Sequence, residues 1–442
     1  MCGFAVSNIL NLKDTNSFCK RRGPDLTNSK VINGIEFLHN LLHITGELTT
    51  QPIVQDDVVC VFNGEIYNYR EFGDYKTDGD CIIDLYEKEG DGFVKRLDGE
   101  FALCLIDFTD KKIIISNDTF SCKPLWYEFT NGKFGVASYE SQLTGLGFTS
   151  PKKLQANLTQ VYDTETLQKI KQYNNFTFCT HQHKNSFDDW LTAFSNSIRK
   201  RTANTSKGMF VGMSSGYDSG AIACELTKQG IDFKAYSILN NENDSVLQQR
   251  LRMVKNSEAF FLKPDEFQKW KNELRNNCEN FAYDDGFRNY DIKKDQASMG
   301  LSAICHRANG EGRRIYFSGQ GADEIISDYG FGGKKIYKHS EFGGLFPANL
   351  NGFFPWHSFY DGTQIQYLNK EEYVAGHFGI ETRYPFLDRQ LVQEFLWLSH
   401  DLKNSKYKSA LDEYLLINEF PYQPQEKRGF HVIEKGKKEK HI

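Results

Sequence analysis

Residues 207–230, KGMFVGMSSGYDSGAIACELTKQG, decide the fold of the second half of the chain. The opening KGMFVGM is a short apolar run and reads as a strand. SSGYDSG at 214–220 is a loop of small polar residues, and AIACELTKQG reads as a helix closed by Gly230. KAYSIL at 234–239 and RRIYF at 313–317 are further apolar strands, each followed by a polar or glycine-containing loop. Strands alternating with helices predict a parallel α/β sheet, with ligands beyond the carboxyl ends of its strands.

Towards the amino terminus the grammar is β-rich. VVCVF at 58–62 reads as a strand ending in a glycine turn, and FALCLIDFTDKKIIIS at 101–116 as a hairpin turning at Thr109–Lys112. The change of grammar falls in the polar stretch TFCTHQHKNS, 177–186. Two domains are therefore expected, 2–180 and 187–430. The charge run EKGKKEKHI lies in a tail, 431–442, expected to be solvated and disordered.

Composition narrows the function classes. The chain has 442 residues, 39% hydrophobic and 25% charged, with a net charge of −5, so no basic field recommends a nucleic acid or a membrane as partner. No apolar run approaches the roughly 20 residues that span a bilayer. The start MCGFAVSNIL has no charged n-region or long apolar core, so no signal peptide is expected. The ten cysteines form no CxxC pair, which disfavours zinc and suits a reducing compartment, and a cytoplasmic location is expected.

Cys2 directly follows the initiator methionine. Removal of Met1 gives one residue both a thiol and a free amine that can take the thiol proton, the pairing of an N-terminal nucleophile. A frayed terminus with an ordinary small residue is the plain alternative. Asn63–Gly64 in FNGEIYN reads by default as a tight turn; equally, its amide and N–H could meet the oxyanion formed when a thiolate attacks a carbonyl.

The later loops present a different chemistry. Small residues in SSGYDSG let backbone N–H groups approach phosphates at a helix N-terminus. Asp218 is out of place in an anion loop unless a cation shares it, and a carboxylate holding Mg2+ against pyrophosphate resolves the conflict. FSGQGADE at 317–324 again follows a strand and carries Asp323 and Glu324, so the two loops could supply both magnesium carboxylates, Asp218 and Asp323. Neither loop is a Walker motif.

The stretches MCGFAV, RRGPD, FNGEIYN, TDGD, DGEFA and NDTFSCKPLWY together resemble the class II glutamine amidotransferases over most of residues 1–150. SSGYDSG and FSGQGADE resemble the loops SGGxDS and SGxGADE of the ATP-pyrophosphatase synthetases. GIETRYPFLD at 379–388 and SKYKSALDEYL at 405–415 narrow the likeness to the glutamine-dependent asparagine synthetases and their relatives. This implies an Ntn-type αββα sandwich followed by an α/β ATP-pyrophosphatase-like domain, with cleavage of ATP to AMP and pyrophosphate.

By the same resemblance, Cys2 attacks glutamine, Asn63 and Gly64 form the oxyanion hole, and Leu42, Ile44, Glu65 and Asp80 complete the glutamine site. Arg22 supports the structure. ATP is met by Met213, Ser214, Ser215, Gly216, Asp218, Ser219, Ile238, Ser318 and Gly319, while Lys408 neutralises charge on the pyrophosphate. Asp388 is read as a structural cap or ion-pair residue. The implied reaction joins glutamine nitrogen to aspartate or another carboxylate, such as a sugar acid, in a chain that can dimerise.

Departures from the family pattern are specific. HNLLHI puts Leu41 where HxRLSI carries an arginine for the glutamine α-carboxylate, with His43 two positions on as a conceivable substitute. An ammonia-using enzyme with a silent amidase is the rival reading, and a binding protein without turnover is another. Ser215 and Gly220 alter the first loop, Gln320 replaces a glutamate in the second, Leu239 replaces a glycine and Asp412 an arginine.

Overall fold

The computed structural model describes residues 2–284, 286, 289–328 and 340–426. The tail at 431–442 and the last residues of the expected second domain lie outside the described residues. The chain forms two compact units: Met1–Thr177 with Asn204–Ser206 and Gly376–Glu381, and Phe178–Ala203 with Lys207–Ala375 and Thr382–Ile442.

The first unit stacks two six-stranded sheets. One orders Lys152–Lys153, Trp126–Thr130, Lys133–Ala137, Gly3–Ser7, Ile35–Leu41 and Leu26–Ile32; the other orders Lys169–Asn174, Leu158–Asp163, Lys112–Asn117, Gly99–Asp107, Val58–Ile66 and Ile53–Gln55. Every pairing is antiparallel. Period-two alternation sorts the side chains into layers. Phe4, Val6, Ile35 and Phe37 meet Val59, Val61, Cys104 and Ile106 between the sheets. Ala5 and Leu38 face outwards onto Leu12 and Leu143, and Val58, Cys60 and Phe62 onto Ile82, Leu85 and Tyr86 of the helix Cys81–Glu89. The result is an αββα sandwich, and each fully buried large apolar side chain contributes about 1.5–3 kcal/mol.

The hairpin turns where its sequence directs, with Asp107 opposite Lys112 and the Asp107 carboxylate accepting from the N–H groups of Thr109 and Asp110 at 2.9 and 2.8 Å. The turn expected at Asn63–Gly64 is absent. Val58–Ile66 continues through both residues, pairing Asn63 with Ala102 and Gly64 with Phe101. A nine-residue ladder against Gly99–Asp107 overrides the local turn preference of the Asn-Gly pair.

The second unit carries a sheet ordered Ser257–Phe260, Phe233–Ile238, Gly208–Gly212, Arg313–Phe317 and Glu381–Arg383. The first four strands are parallel. Strand order reverses beside Gly208–Gly212: the next strand along the chain lies on one side and Arg313–Phe317 on the other. Their carboxyl ends therefore open a crevice at the topological switch point, where α/β sheets bind ligands.

Asp388 performs the structural role expected of it. Its carboxylate caps the helix Arg389–Trp397 by accepting from Gln390 and Leu391 N–H groups, and pairs with Lys200 and with Arg201 at 2.9 Å. Burial alone would raise its pKa, but the two cations hold it well below the usual carboxylate range. A depressed folded-state pKa stabilises above the unfolded value of about 4, and this contribution disappears as pH falls through the folded value. Asp388→Ala is expected to weaken the second unit by about 3 kcal/mol at neutral pH, since buried cations lose their partner. A lower urea midpoint, converging on wild type in acid, is the check.

Candidate active sites

In the first unit the strand Gly3–Ser7 starts directly after Cys2, and Ile35–Leu41 beside it leads into Leu42. The Cys2 thiol points to the Leu42 carbonyl oxygen at 3.8 Å. Fully buried Arg22 donates through Nε to the Cys2 carbonyl at 2.9 Å and through Nη1 to the Tyr139 hydroxyl at 3.2 Å. Arg22 thus fixes the backbone at Cys2. Although Cys2 keeps some exposure, burial pushes its thiol up to about 11, so a base must take its proton at neutral pH.

A cleft opens at Cys2. Leu42, Ile44, Gly64 and Glu65 line it as expected residues do, together with Leu41 and His43. Asn63 is fully buried on the same strand, and neither its amide oxygen nor its nitrogen has a hydrogen-bond partner. A buried unmet amide beside a nucleophile is the arrangement an incoming oxyanion would complete. Gly64 has φ +133°, and a side chain there would collide with the Glu100 carbonyl, so the close strand pairing at this point demands glycine.

Asp80 lies elsewhere. Its carboxylate accepts from the Thr77 N–H at 3.2 Å in a capping box, while Asp78 and Thr77 line the cleft. His43 is also engaged, its Nε2 lying 3.0 Å from the Gly46 carbonyl. The cleft gathers Glu47, Glu65, Asp78 and Glu381 and, among its described lining, no lysine or arginine.

In the second unit, Met213–Gly216 connects Gly208–Gly212 to the helix Tyr217–Lys228. Ser214 and Ser219 lock this loop: the Ser214 N–H donates to Ser219 Oγ at 3.0 Å, and the hydroxyls lie 2.9 Å apart. The Ser215 N–H donates to the Glu242 carboxylate at 2.6 Å, so the loop already receives an anion. Met213 and Ile238 are buried behind it, with the Met213 N–H bonded to the Tyr236 carbonyl at 2.8 Å.

Ser318 and Gly319 follow the neighbouring strand Arg313–Phe317, and a side chain at Gly319 would press on Asp218. The two loops bring Asp218 and Asp323 onto one cation. Lys408 Nζ lies 2.6 and 2.8 Å from the Asp218 oxygens and 2.6 Å from Asp323. Lys408 directly precedes the helix Ser409–Ile417, in the left-handed region at φ 49°. Burial acts to lower its pKa, but Asp218, Asp323 and Asp328 outweigh that and keep it charged. Because the pair already brackets one positive charge, its hard oxygens fit a divalent cation, with phosphate and water completing the shell.

Arg250 and Glu242 escape sequence reasoning, since nothing local distinguishes them. Arg250 is fully buried and donates to the Gly216 carbonyl at 2.7 Å and to that of Ser214. A side chain at position 220 would strike its guanidinium, which accounts for Gly220. Burial lowers the Arg250 pKa to about 10, leaving it charged at neutral pH.

Comparison with known proteins agrees with both halves. Residues 1–181 match the glutamine amidotransferase domain family. Relatives named glutamine-hydrolysing asparagine synthetase occur in cattle (26% identical, 90% of this chain and 76% of the relative), in rice (24%, 95% and 72%) and in baker's yeast (25%, 92% and 78%). Residues 1–181 thus match a glutamine amidotransferase domain, and over most of its length the chain is similar to proteins named glutamine-hydrolysing asparagine synthetase.

Proposed function

We propose that the chain makes asparagine, using ATP to activate aspartate as an acyl adenylate and glutamine as the nitrogen source. The observation that carries this reading is the convergence of Asp218, Asp323 and Lys408 at the switch point of the parallel sheet. A carboxylate resists attack by ammonia; transfer of AMP supplies a leaving group, and pyrophosphate departs with the charge that Lys408 is placed to neutralise. Mg2+ would be held by Asp218 and Asp323 and would supply charge neutralisation on the phosphates. At the other site Cys2 Sγ attacks the glutamine amide, and the Asn63 amide with the Gly64 N–H receives the oxyanion. All ten cysteines are free thiols, and no helix among the described residues is long and apolar enough to cross a membrane. The free thiols suit a reducing compartment, and on them we assign the chain to the cytoplasm.

The first experiment is asparagine formation from aspartate, ATP and Mg2+ with glutamine or ammonium as donor. Product from both supports the proposal; product from neither overturns aspartate as acceptor and calls for a screen of other carboxylates by ATP–pyrophosphate exchange.

A second reading rests on the composition of the Cys2 cleft. Four acids and no lysine or arginine in its described lining suit an ammonium group and oppose an α-carboxylate. On that reading ammonium alone supports synthesis in the wild type. Leu41 lines the cleft and is 8% exposed. If the wild type uses glutamine, Leu41→Arg is expected to lower the KM for glutamine about tenfold, the value of one charge-assisted hydrogen-bonded fork; on the second reading it is expected to create a glutamine-dependent rate where the wild type has none. Its ammonium-dependent rate should stay unchanged. Steady-state kinetics with both donors measure the two effects separately.

A further inference from the structure

Glu371 sits on the helix Thr363–His377, is 8% exposed, and its Oε2 has no hydrogen-bond partner. Its other contact is with the Ser318 hydroxyl, in the loop that follows Arg313–Phe317. The same serine oxygen accepts from the Gln320 N–H at 3.0 Å, and the Gln320 side-chain nitrogen is also buried without a partner. Two unmet polar groups of complementary chemistry, an acceptor and a donor, thus flank one buried serine in the loop at the carboxyl end of Arg313–Phe317.

The neighbouring charged groups are already committed. Lys370 is 3.9 Å from Asp295, Glu372 accepts from the Tyr384 hydroxyl at 3.1 Å, and Glu324 accepts from the Gly321 N–H at 3.1 Å. Tyr316 and Cys305, on the strand and helix packed against Glu371, are both kept neutral by burial. A buried carboxylate oxygen with no partner is costly, and such groups persist where a ligand completes them. The position at residue 320, where the family pattern has a glutamate, here carries an uncharged glutamine.

We infer that Glu371 is the proton acceptor of the amide-forming step and that its partner is the attacking nitrogen. The inference rests on the adenylate reading of this site. As ammonia adds to the acyl carbon, the C–N bond forms and the carbonyl π pair moves to oxygen. One proton passes from the now cationic nitrogen to Glu371 Oε2. The oxyanion then re-forms the carbonyl, the bond from carbon to the AMP oxygen breaks, and AMP leaves with that electron pair. Burial first, partly offset by Lys370 and Ser318 and reinforced by Glu372 and Glu324, raises the Glu371 pKa to about 7, a value suited to proton transfer near neutrality.

The test compares Glu371→Gln with wild type in two assays, ATP–pyrophosphate exchange with aspartate and product formation with ammonium or hydroxylamine. Exchange should stay within about twofold, while amide and hydroxamate formation fall on the order of 100-fold, the usual worth of a general base. Hydroxylamine is a weaker base than ammonia and stays unprotonated over most of the range. The acidic limb of its wild-type pH profile near 7 should therefore be absent from exchange and flattened in Glu371→Gln. A parallel fall in exchange and amide formation, or no fall in either, overturns the assignment. Should the variant not fold, a wild-type hydroxamate profile with no limb near pH 7 overturns it alone. Absence of exchange with aspartate in wild type counts against aspartate as acceptor; the Glu371 assay then uses whichever acid supports exchange.

Discussion

Cys2→Ala is expected to lower glutamine-dependent asparagine formation by a factor on the order of 10⁴ or more while leaving the ammonium-dependent rate unchanged. The size of the effect follows from having no substitute nucleophile: Cys2 is the one cysteine lining the cleft, and methyl cannot form the thioester. The thiol is buried enough to stand near 11, so it reacts only when a base takes its proton, and the α-amine that removal of Met1 would free on Cys2 can serve as that base. Mass spectrometry of the amino terminus should accordingly find Met1 removed. Asn63→Ala should lower the same rate by about 10²–10³, the cost of one oxyanion donor, without altering the KM for glutamine to the same degree. Because the Asn63 side chain makes no hydrogen bond in the resting site, its removal breaks none. Glutamine-dependent synthesis that survives Cys2→Ala would place the nucleophile elsewhere.

What could be read from the sequence follows the range over which each signal acts. The alternation of Phe4, Ala5 and Val6 places inner and outer faces because period two is a local property of a strand. RRIYF and its loop could likewise be placed, since apolar run, loop and helix are contiguous along the chain. Asn63–Gly64 was misread because a local turn preference is weaker than nine residues of ladder whose partner lies far away in sequence. Asp80 and Asp78 differ by two positions in one short turn, and only the path of the backbone decides which faces the cleft. Arg250, Glu242 and Glu371 carry no local signature, because what defines each of them is the loop it touches from a distant helix or turn. Residues 204–206 and 376–381 join the first unit for the same reason.

Lys408→Met is expected to lower ATP–pyrophosphate exchange on the order of 10³-fold, roughly 4 kcal/mol of transition-state stabilisation. Methionine keeps the apolar stem that lies buried at 7% exposure but removes the ammonium held 2.6 Å from both Asp218 and Asp323. Two effects then act together. The developing pyrophosphate charge loses its fixed cation, and two carboxylates that shared one positive charge are left to repel each other. Lys408→Arg should recover little, because a planar fork suits one carboxylate in two-point contact and this site asks one compact charge to serve two. Glutamine hydrolysis at Cys2 reports whether the variant is folded and should be unaffected. Lys408 itself is held at φ 49°, directly before the helix Ser409–Ile417. Exchange within tenfold of wild type in Lys408→Met would mean that Asp218 and Asp323 serve the metal alone and that the lysine only balances their charge between turnovers.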